Sequence, residues 1–309
     1  MTIAKDIFGV LSLNNLQSCW MICMKTVHSK TDGVTVAFQG ERGAYSESAV
    51  YSFFGPSAEP KPCKTFREVF REVEAREADY GVVPIENSIE GSVNQVYDLF
   101  LEHDLKVCGE IILKIEHCLI ANPGSTLDSI KVIYSHPQAL AQCRNFLENL
   151  GCEMISTYDT AGSVKMIKEK RLLDAGAIAS ERSAQIYKMK ILAKGISDNP
   201  NNYTRFFILH ERDSPRTGED KTSIIFSTKH IPGALYQALE EFAARKINLT
   251  KIESRPTKQR PWEYNFYLDF EGHRSEPRCI EALEGLKKKT TFLRILGSYP
   301  KAKSTPTST

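Results

Sequence analysis

The 309-residue sequence contains no Cys-x-x-Cys pair. Its eight cysteines, Cys19, Cys23, Cys63, Cys108, Cys118, Cys143, Cys152 and Cys279, stand singly. Cys19 and Cys23 have no second pair to complete a zinc tetrahedron, so the pattern argues against a metal site. Isolated cysteines in apolar and helical stretches behave as small hydrophobes and fit a reducing cytoplasm, the expected location. No basic run exceeds Lys287-Lys288-Lys289, and the formal net charge is only +2; a nucleic-acid footprint needs a clustered basic face. Long apolar runs are absent too. "IFGVLSLNNLQSCWMICM" is broken by Asn14, Asn15, Gln17 and Ser18, which makes a poor membrane span. No small-residue cleavage pattern follows it and residues 1–33 lack arginine, against a signal or transit peptide. These residues are expected to form an N-terminal extension apart from the fold, with Met21 and Met24 as alternative starts.

What is present describes a globular chain of ordinary composition, 41% hydrophobic and 25% charged, long enough for two domains or one large and one small. From Val34 strand-like and helix-like segments alternate: "VTVAFQG", "SESAVYSFF" with Ser46 as N-cap, "FREVFREVEARE", "YGVVPIEN" and "SVNQVYDLFLEH". After the extended stretch 106–121 the alternation restarts with "IKVIYS", "QALAQCRNFLENL", "EMISTYD", "AGSVKMIKEK", "AGAIAS" and "ERSAQIYK". Two runs of βα units joined by extended segments predict an α/β fold of two lobes with a cleft between them. Lobe one is expected over 34–112 and 201–212 and lobe two over 113–200, with a linker at 213–221. Residues 222–300 read β-α-β-β-α-β, the ferredoxin-like order, with Pro232 at the first position of its first helix. The tail 301–309 is expected to be disordered.

Four polar loops interrupt apolar elements at strand ends. "GERGAYS" (40–46) offers backbone amides to an anion or is simply a tight turn; it lacks a nucleotide-binding glycine spacing. In "PIENSIEG" (84–91), Asn87 is either a helix cap or, because Ser88 and Ser92 can also cap, a ligand-binding group. "YSHPQALAQC" (134–143) places Ser135 at the carboxyl end of a strand, where α/β folds bind ligands. Gln142 lies one turn after Gln138 on the same helical face. His136, held extended by Pro137, is a structural histidine unless geometry shows a reacting proton within its reach. In "NPNNYTRFFIL" (199–209), Thr204 and Arg205 stand at the mouth of a core strand. Strand alternation sends them to opposite faces unless the entry bends. Taken alone, Thr204 reads as a cap or edge residue.

Taken in order and spacing, "VAFQGERGAYSESAV", "VPIENSIEGSV", "SHPQALAQC", "AIASERSA" and "NPNNYTRFFIL" resemble the prephenate dehydratase family. "PGALYQALEEFAARKINLTKIESRP" is similar to the ACT regulatory domain that follows it. The resemblance spans roughly residues 34–300. It implies a two-lobed catalytic domain like the periplasmic binding proteins (34–212) and an ACT domain (222–300). It further implies decarboxylation and dehydration of prephenate to phenylpyruvate, with phenylalanine as the inhibitor bound at the ACT domain. Some members prefer arogenate; others carry a chorismate mutase, for which residues 1–33 are too few, so a monofunctional enzyme is expected. A non-catalytic amino-acid sensor is the reading from another class.

The implied reaction needs no cofactor and no metal. Loss of CO2 supplies the electron pair that expels the ring hydroxyl, so the site must supply a proton to the leaving oxygen and fix the carboxylates. By resemblance Thr204 donates that proton. Asn87, Ser135 and Gln142 orient substrate or support Thr204. Arg205 and Ser88 are the substrate-binding candidates, with Arg205 alternatively bracing the loop from the opposite face. Gly233, Ala234 and Leu235, with Glu253, Ser254, Arg255 and Pro256, are the expected phenylalanine site at a subunit interface of a homodimer or homotetramer. No nucleic acid or membrane partner is expected.

Overall fold

The structure, a computed structural model, describes residues 33–257 and 262–302. The expected extension at 1–33, apart from Gly33, and the expected tail from 303 onward lie outside the described residues. So do Cys19 and Cys23. Among the described residues no helix is long and apolar enough to cross a membrane.

Three sheets organise the chain. The first holds β1 (Thr35–Gln39), β2 (Glu59–Cys63), β3 (Tyr80–Asn87), β5 (Lys106–Lys114) and β11 (Tyr203–His210) in the order β2-β1-β3-β11-β5, with two-residue β4 (Gly91–Ser92) paired to β3. β1, β2 and β3 are parallel, and β11 inserts antiparallel between β3 and β5. Its helices are α1 (Tyr45–Phe54), α2 (Phe66–Glu74) and α3 (Asn94–Glu102). The second sheet holds β6 (Cys118–Ala121), β7 (Val132–Ser135), β8 (Glu153–Ser156), β9 (Ala175–Ala179) and β10 (Lys190–Lys194), ordered β10-β6-β9-β7-β8. It is covered by α4 (Pro137–Gln142), α5 (Arg144–Leu150), α6 (Thr160–Glu169) and α7 (Glu181–Tyr187). The chain passes between these two lobes twice, after β5 and before β11. The crossings are tied together where Ile115 N–H donates to the Asn202 carbonyl at 2.8 Å.

The third sheet, β12 (Asp220–Thr228), β13 (Leu249–Pro256), β14 (Tyr264–Glu271) and β15 (Thr290–Pro300), is ordered β13-β14-β12-β15 and wholly antiparallel. With α8 (Ala234–Ala243) and α9 (Pro277–Lys289) it is the ferredoxin-like unit the sequence predicts. One face of this sheet packs under its own helices through Phe226, Phe242 and Phe270. Its other face joins lobe one: Ile225, Tyr267, Leu296 and Tyr299 share a core with Tyr97, Phe100 and Phe207. Gly297 makes that approach possible, since a Cβ there would lie 2.1 Å from the Val107 carbonyl oxygen.

Helix starts differ from the sequence reading in ways set by local chemistry. Ser46 does not cap α1. The helix begins one residue earlier, and the Glu47 carboxylate takes the Gly43 N–H at 2.6 Å in the manner of a cap. Ser92 pairs in β4 opposite Glu86, so α3 begins only at Asn94. The helix expected over 138–150 is two, broken at Cys143, whose ψ of 22° leaves the helical range. Pro232 precedes α8 rather than opening it, because Gly233 at φ 79° turns the chain into the helix.

Candidate active site

A cleft of about 480 Å³ lies between the lobes, lined by Asn87, Thr204 and Phe206 from the first, by Gln138 and Gln142 from the second, and by Ile115 and His117 from the crossing. Strand alternation along β11 decides which of its residues arrive. Thr204 and Phe206 line the cleft, whereas Phe207 and Leu209 face the opposite core.

Thr204 is buried, paired across β3 with Asn87. The Asn87 amide nitrogen donates to Thr204 Oγ1 at 3.0 Å, to Asn202 Oδ1 at 2.8 Å and to the Tyr203 carbonyl at 3.1 Å. Asn87 Oδ1 accepts from the Ile89 and Glu90 N–H groups, both at 3.0 Å. Asn87 is therefore a loop-forming residue as well as the support of Thr204; it does not cap α3, whose N-cap is Val93. Gln142 Oε1 receives Asn202 Nδ2 at 2.9 Å and lies 3.0 Å from His117 Nε2. His117 Nδ1 is 2.9 Å from the Tyr45 hydroxyl, which also reaches the Glu116 carbonyl at 2.9 Å. Burial holds the His117 imidazole below its ordinary pKa against the opposing hydrogen bond to Gln142, and burial drives the Tyr45 phenol well above its own. His136 caps α4, its Nδ1 accepting the Gln138 N–H at 3.3 Å.

Helix N-termini converge on the cleft. Residues at the starts of α1, α2, α3 and α6 line it, together with the exposed Lys64 ammonium. Among the described residues the start of α3 carries no side-chain cap, whereas the Glu47 carboxylate already occupies the first turn of α1. The first-turn N–H groups and positive dipole end of α3 suit an anionic ligand.

Three expected site residues stand elsewhere. Ser135 is fully buried and donates to the Ile178 carbonyl at 2.7 Å. It shares the face of Ile133, which packs with Ala139, Leu140 and Leu147 of α4 and α5, so it braces β7 against β9 and does not line the cleft. Ser88 accepts the Tyr203 N–H at 2.9 Å and donates to the Asn201 carbonyl at 3.0 Å, stapling two loops outside the cleft. Arg205 faces away from the cleft, into the third sheet. Its Nε donates to Glu110 at 2.6 Å, and its two terminal nitrogens donate to Asp269 at 2.6 Å and the Tyr299 hydroxyl at 3.0 Å. Burial alone would weaken this cation, but Asp269, Tyr299 and Glu110 outweigh it and hold the guanidinium firmly charged. Facing away from the cleft, Arg205 turns its fork to Glu110, Asp269 and Tyr299 and not to a ligand there; it braces from the opposite face, the alternative its strand position allowed.

"GERGAYS" is neither an anion loop nor a plain turn. The Gly43 carbonyl accepts from Ser180 at 2.7 Å and Ser183 at 2.9 Å, Glu47 pairs with Arg182 at 3.3 Å, and Glu41 pairs with Lys165 at 3.1 Å. The loop clasps lobe one to lobe two beside the cleft. Among the expected regulatory residues, Gly233 is exposed, Ala234 buried and Leu235 half-buried. Alternation along β13 divides the rest. Glu253 and Arg255 turn to lobe one, pairing with Ser92 and Lys251 and with Asn94 and Asp98, while Ser254 and Pro256 stay exposed. Glu253 and Arg255 are thus engaged within the chain by lobe one.

His117, Asn202 and Tyr45 escaped the sequence reading. His117 is a single imidazole between two apolar strands, Asn202 belongs to the turn-forming run Asn-Pro-Asn-Asn, and Tyr45 lies within the "GERGAYS" loop, which reads by its backbone amides.

A prephenate dehydratase family model matches residues 36–214 and an ACT domain model residues 222–288. A bifunctional chorismate mutase/prephenate dehydratase of Aquifex aeolicus is 49% identical over 87% of this chain and 74% of its own length. An arogenate dehydratase/prephenate dehydratase of Arabidopsis thaliana is 47% identical over 86% of this chain and 73% of its own. The crystal structure of a prephenate dehydratase from Arthrobacter aurescens in complex with L-Phe superposes with a TM-score of 0.81 at 35% identity, covering 88% of this chain and 92% of that one. With its two-lobed cleft and the domain behind it, the chain belongs to the prephenate dehydratase family, its catalytic part followed by an ACT domain.

Proposed function

We propose that the cleft decarboxylates and dehydrates prephenate to phenylpyruvate, as a carbon–oxygen lyase, and that phenylalanine bound at the ACT domain inhibits it. The observation that carries the catalytic reading is the Asn87–Thr204 hydrogen bond: Asn87 donates to Thr204 Oγ1, and among the described residues no acceptor takes the Thr204 proton. The C–CO2 bond breaks, its electron pair moves through the ring diene, and the C–O bond at the far ring carbon breaks as Thr204 protonates the leaving oxygen to water. The ring becomes aromatic. An alcohol is a weak acid, and the Asn87 N–H stabilises the charge left on Oγ1 as the proton departs. Thr204 regains a proton from water, matching the one proton that the net reaction consumes. The two carboxylates find Lys64 and the uncapped start of α3 within the cleft.

The reading is tested by mixing purified protein with prephenate and following phenylpyruvate absorbance, with arogenate in parallel and its product, phenylalanine, followed by chromatography. Turnover of prephenate is expected. Turnover of arogenate alone would reassign the substrate, and turnover of neither would leave the amino-acid sensor.

A further inference from the structure

We propose that His117 and Asn202 are positioning residues that lock the Gln142 side-chain amide with its oxygen inward and its NH2 toward the cleft, and that the same locked chain leaves the Thr204 proton directed at the substrate. The proposal rests on the reading of Thr204 as proton donor.

From Asn87 to His117 Nε2 the direction of each hydrogen bond follows from one end. A backbone N–H can only donate, so the Ile89 and Glu90 amides identify the Asn87 atom beside them as oxygen. The other Asn87 atom is then the NH2 and donates both to Thr204 Oγ1 and to Asn202. The Asn202 atom it meets is oxygen, so the Asn202 NH2 faces Gln142, whose nearest atom must in turn be oxygen. That oxygen lies 3.0 Å from His117 Nε2, which must therefore carry the ring proton. In a neutral ring Nδ1 is then bare and takes the single Tyr45 proton at 2.9 Å, in competition with the Glu116 carbonyl at 2.9 Å from the same hydroxyl. Gln142 Oε1 thus holds two donors, and among the described residues its NH2 has no partner, leaving it as a donor for the substrate. No link can reverse unless the others do, because each buried amide would otherwise set oxygen against oxygen. Asn202 is fully buried and His117 nearly so, with 3% of its surface exposed, so water does not relieve a mismatch.

The histidine tautomer reads the polarity directly. Nitrogen-15 correlation spectra of the full-length protein are expected to show His117 neutral with its proton on Nε2. Replacing Asn202→Asp keeps the acceptor for Asn87 but removes the donor to Gln142. The Gln142 amide then turns, its NH2 meets the His117 ring, and the ring proton moves to Nδ1. That variant is expected to lose about 10- to 100-fold in kcat with a smaller change in KM, as mispositioning of a polar group commonly costs. His117→Leu is expected to lose a similar factor, and His117→Gln, which can still donate to Gln142, to recover most of it. A wild-type ring protonated on Nδ1 would overturn the proposal, as would an unchanged tautomer in Asn202→Asp or full kcat in His117→Leu. If the leucine variant does not fold, the tautomer measurement still decides. Full turnover in Thr204→Ala would overturn the donor reading beneath it, a separate result because the tautomer measurement involves no turnover.

Discussion

Thr204 differs from a surface threonine in its surroundings. Its backbone is held in a strand paired on both sides, its oxygen receives Asn87, and its proton lacks an acceptor among the described residues. Preorganisation of that kind lets a weak acid act where charge develops, and losing one such donor commonly costs about 10²-fold or more in kcat. Thr204→Ala is accordingly expected to lower prephenate turnover by about 10²-fold while the circular dichroism melt stays near wild type, because the Asn87 amide keeps Asn202 and the Tyr203 carbonyl as acceptors. Near-normal turnover would remove Thr204 from the mechanism. Ser135 teaches the opposite lesson. A hydroxyl at a strand's carboxyl end looked like a ligand group, yet its lone donor is taken by the neighbouring strand.

β11 serves two regions at once, since successive side chains leave it on opposite faces. Thr204 enters the cleft; Arg205 enters a buried set of charges with Glu110, Asp269 and, through Glu110, Lys221. Removing the cation leaves Asp269 without a charged partner and Glu110 with Lys221 alone, and breaking a buried pair commonly costs about 3–5 kcal/mol. Arg205→Met should therefore lower stability by roughly that amount in urea titration. A loss no larger than that of an exposed salt bridge would contradict the burial argument. The clasp loop makes a different prediction. Gly43 has φ 93° and a Cβ there would lie 2.7 Å from Ser183 Oγ, so Gly43→Ala both strains the turn and pushes the lobes apart. A strain of roughly 1–2 kcal/mol borne only by the closed cleft corresponds to a KM rise of about 10-fold, with kcat changed less. An unchanged KM would mean that the clasp does not control closure.

Across the molecule, the ACT domain is no loosely tethered appendage. Its sheet shares an apolar core with lobe one, and Arg205 and Lys251 carry ion pairs across the boundary, Lys251 reaching Glu86 at 2.9 Å. The backbone that holds Thr204 thus lies one residue from the domain that senses phenylalanine in the proposed function. Inhibition requires phenylalanine to bind one arrangement of these parts better than another. Because Glu253 and Arg255 are held by lobe one, Leu235 and Ser254 are the positions where substitution should weaken phenylalanine inhibition by about 10-fold, one coupling factor of ordinary size, while kcat without phenylalanine is unchanged. Inhibition curves coinciding with wild type would place the effector elsewhere. β13 is an edge strand, and Ile231, Tyr236 and Ile252 of this domain are exposed. Such a surface suits pairing with a second copy, and light scattering is expected to give at least a dimer.

Much of this was determined by order along the chain. The βα alternation, the β-α-β-β-α-β unit, the strand mouth at Thr204 and the divergence of Thr204 from Arg205 all follow from periodicity and turn chemistry, which act between near neighbours. Tertiary structure alone decided which face of β11 meets the cleft, that Ser135 and Ser88 brace backbone, and that the Arg205 fork is filled by Glu110, Asp269 and Tyr299. It alone brought Tyr45, His117, Gln142, Asn202 and Asn87 into one directed chain. The physical reason is that a buried polar group must be satisfied by whatever partner the fold carries to it, and these partners lie far apart in sequence.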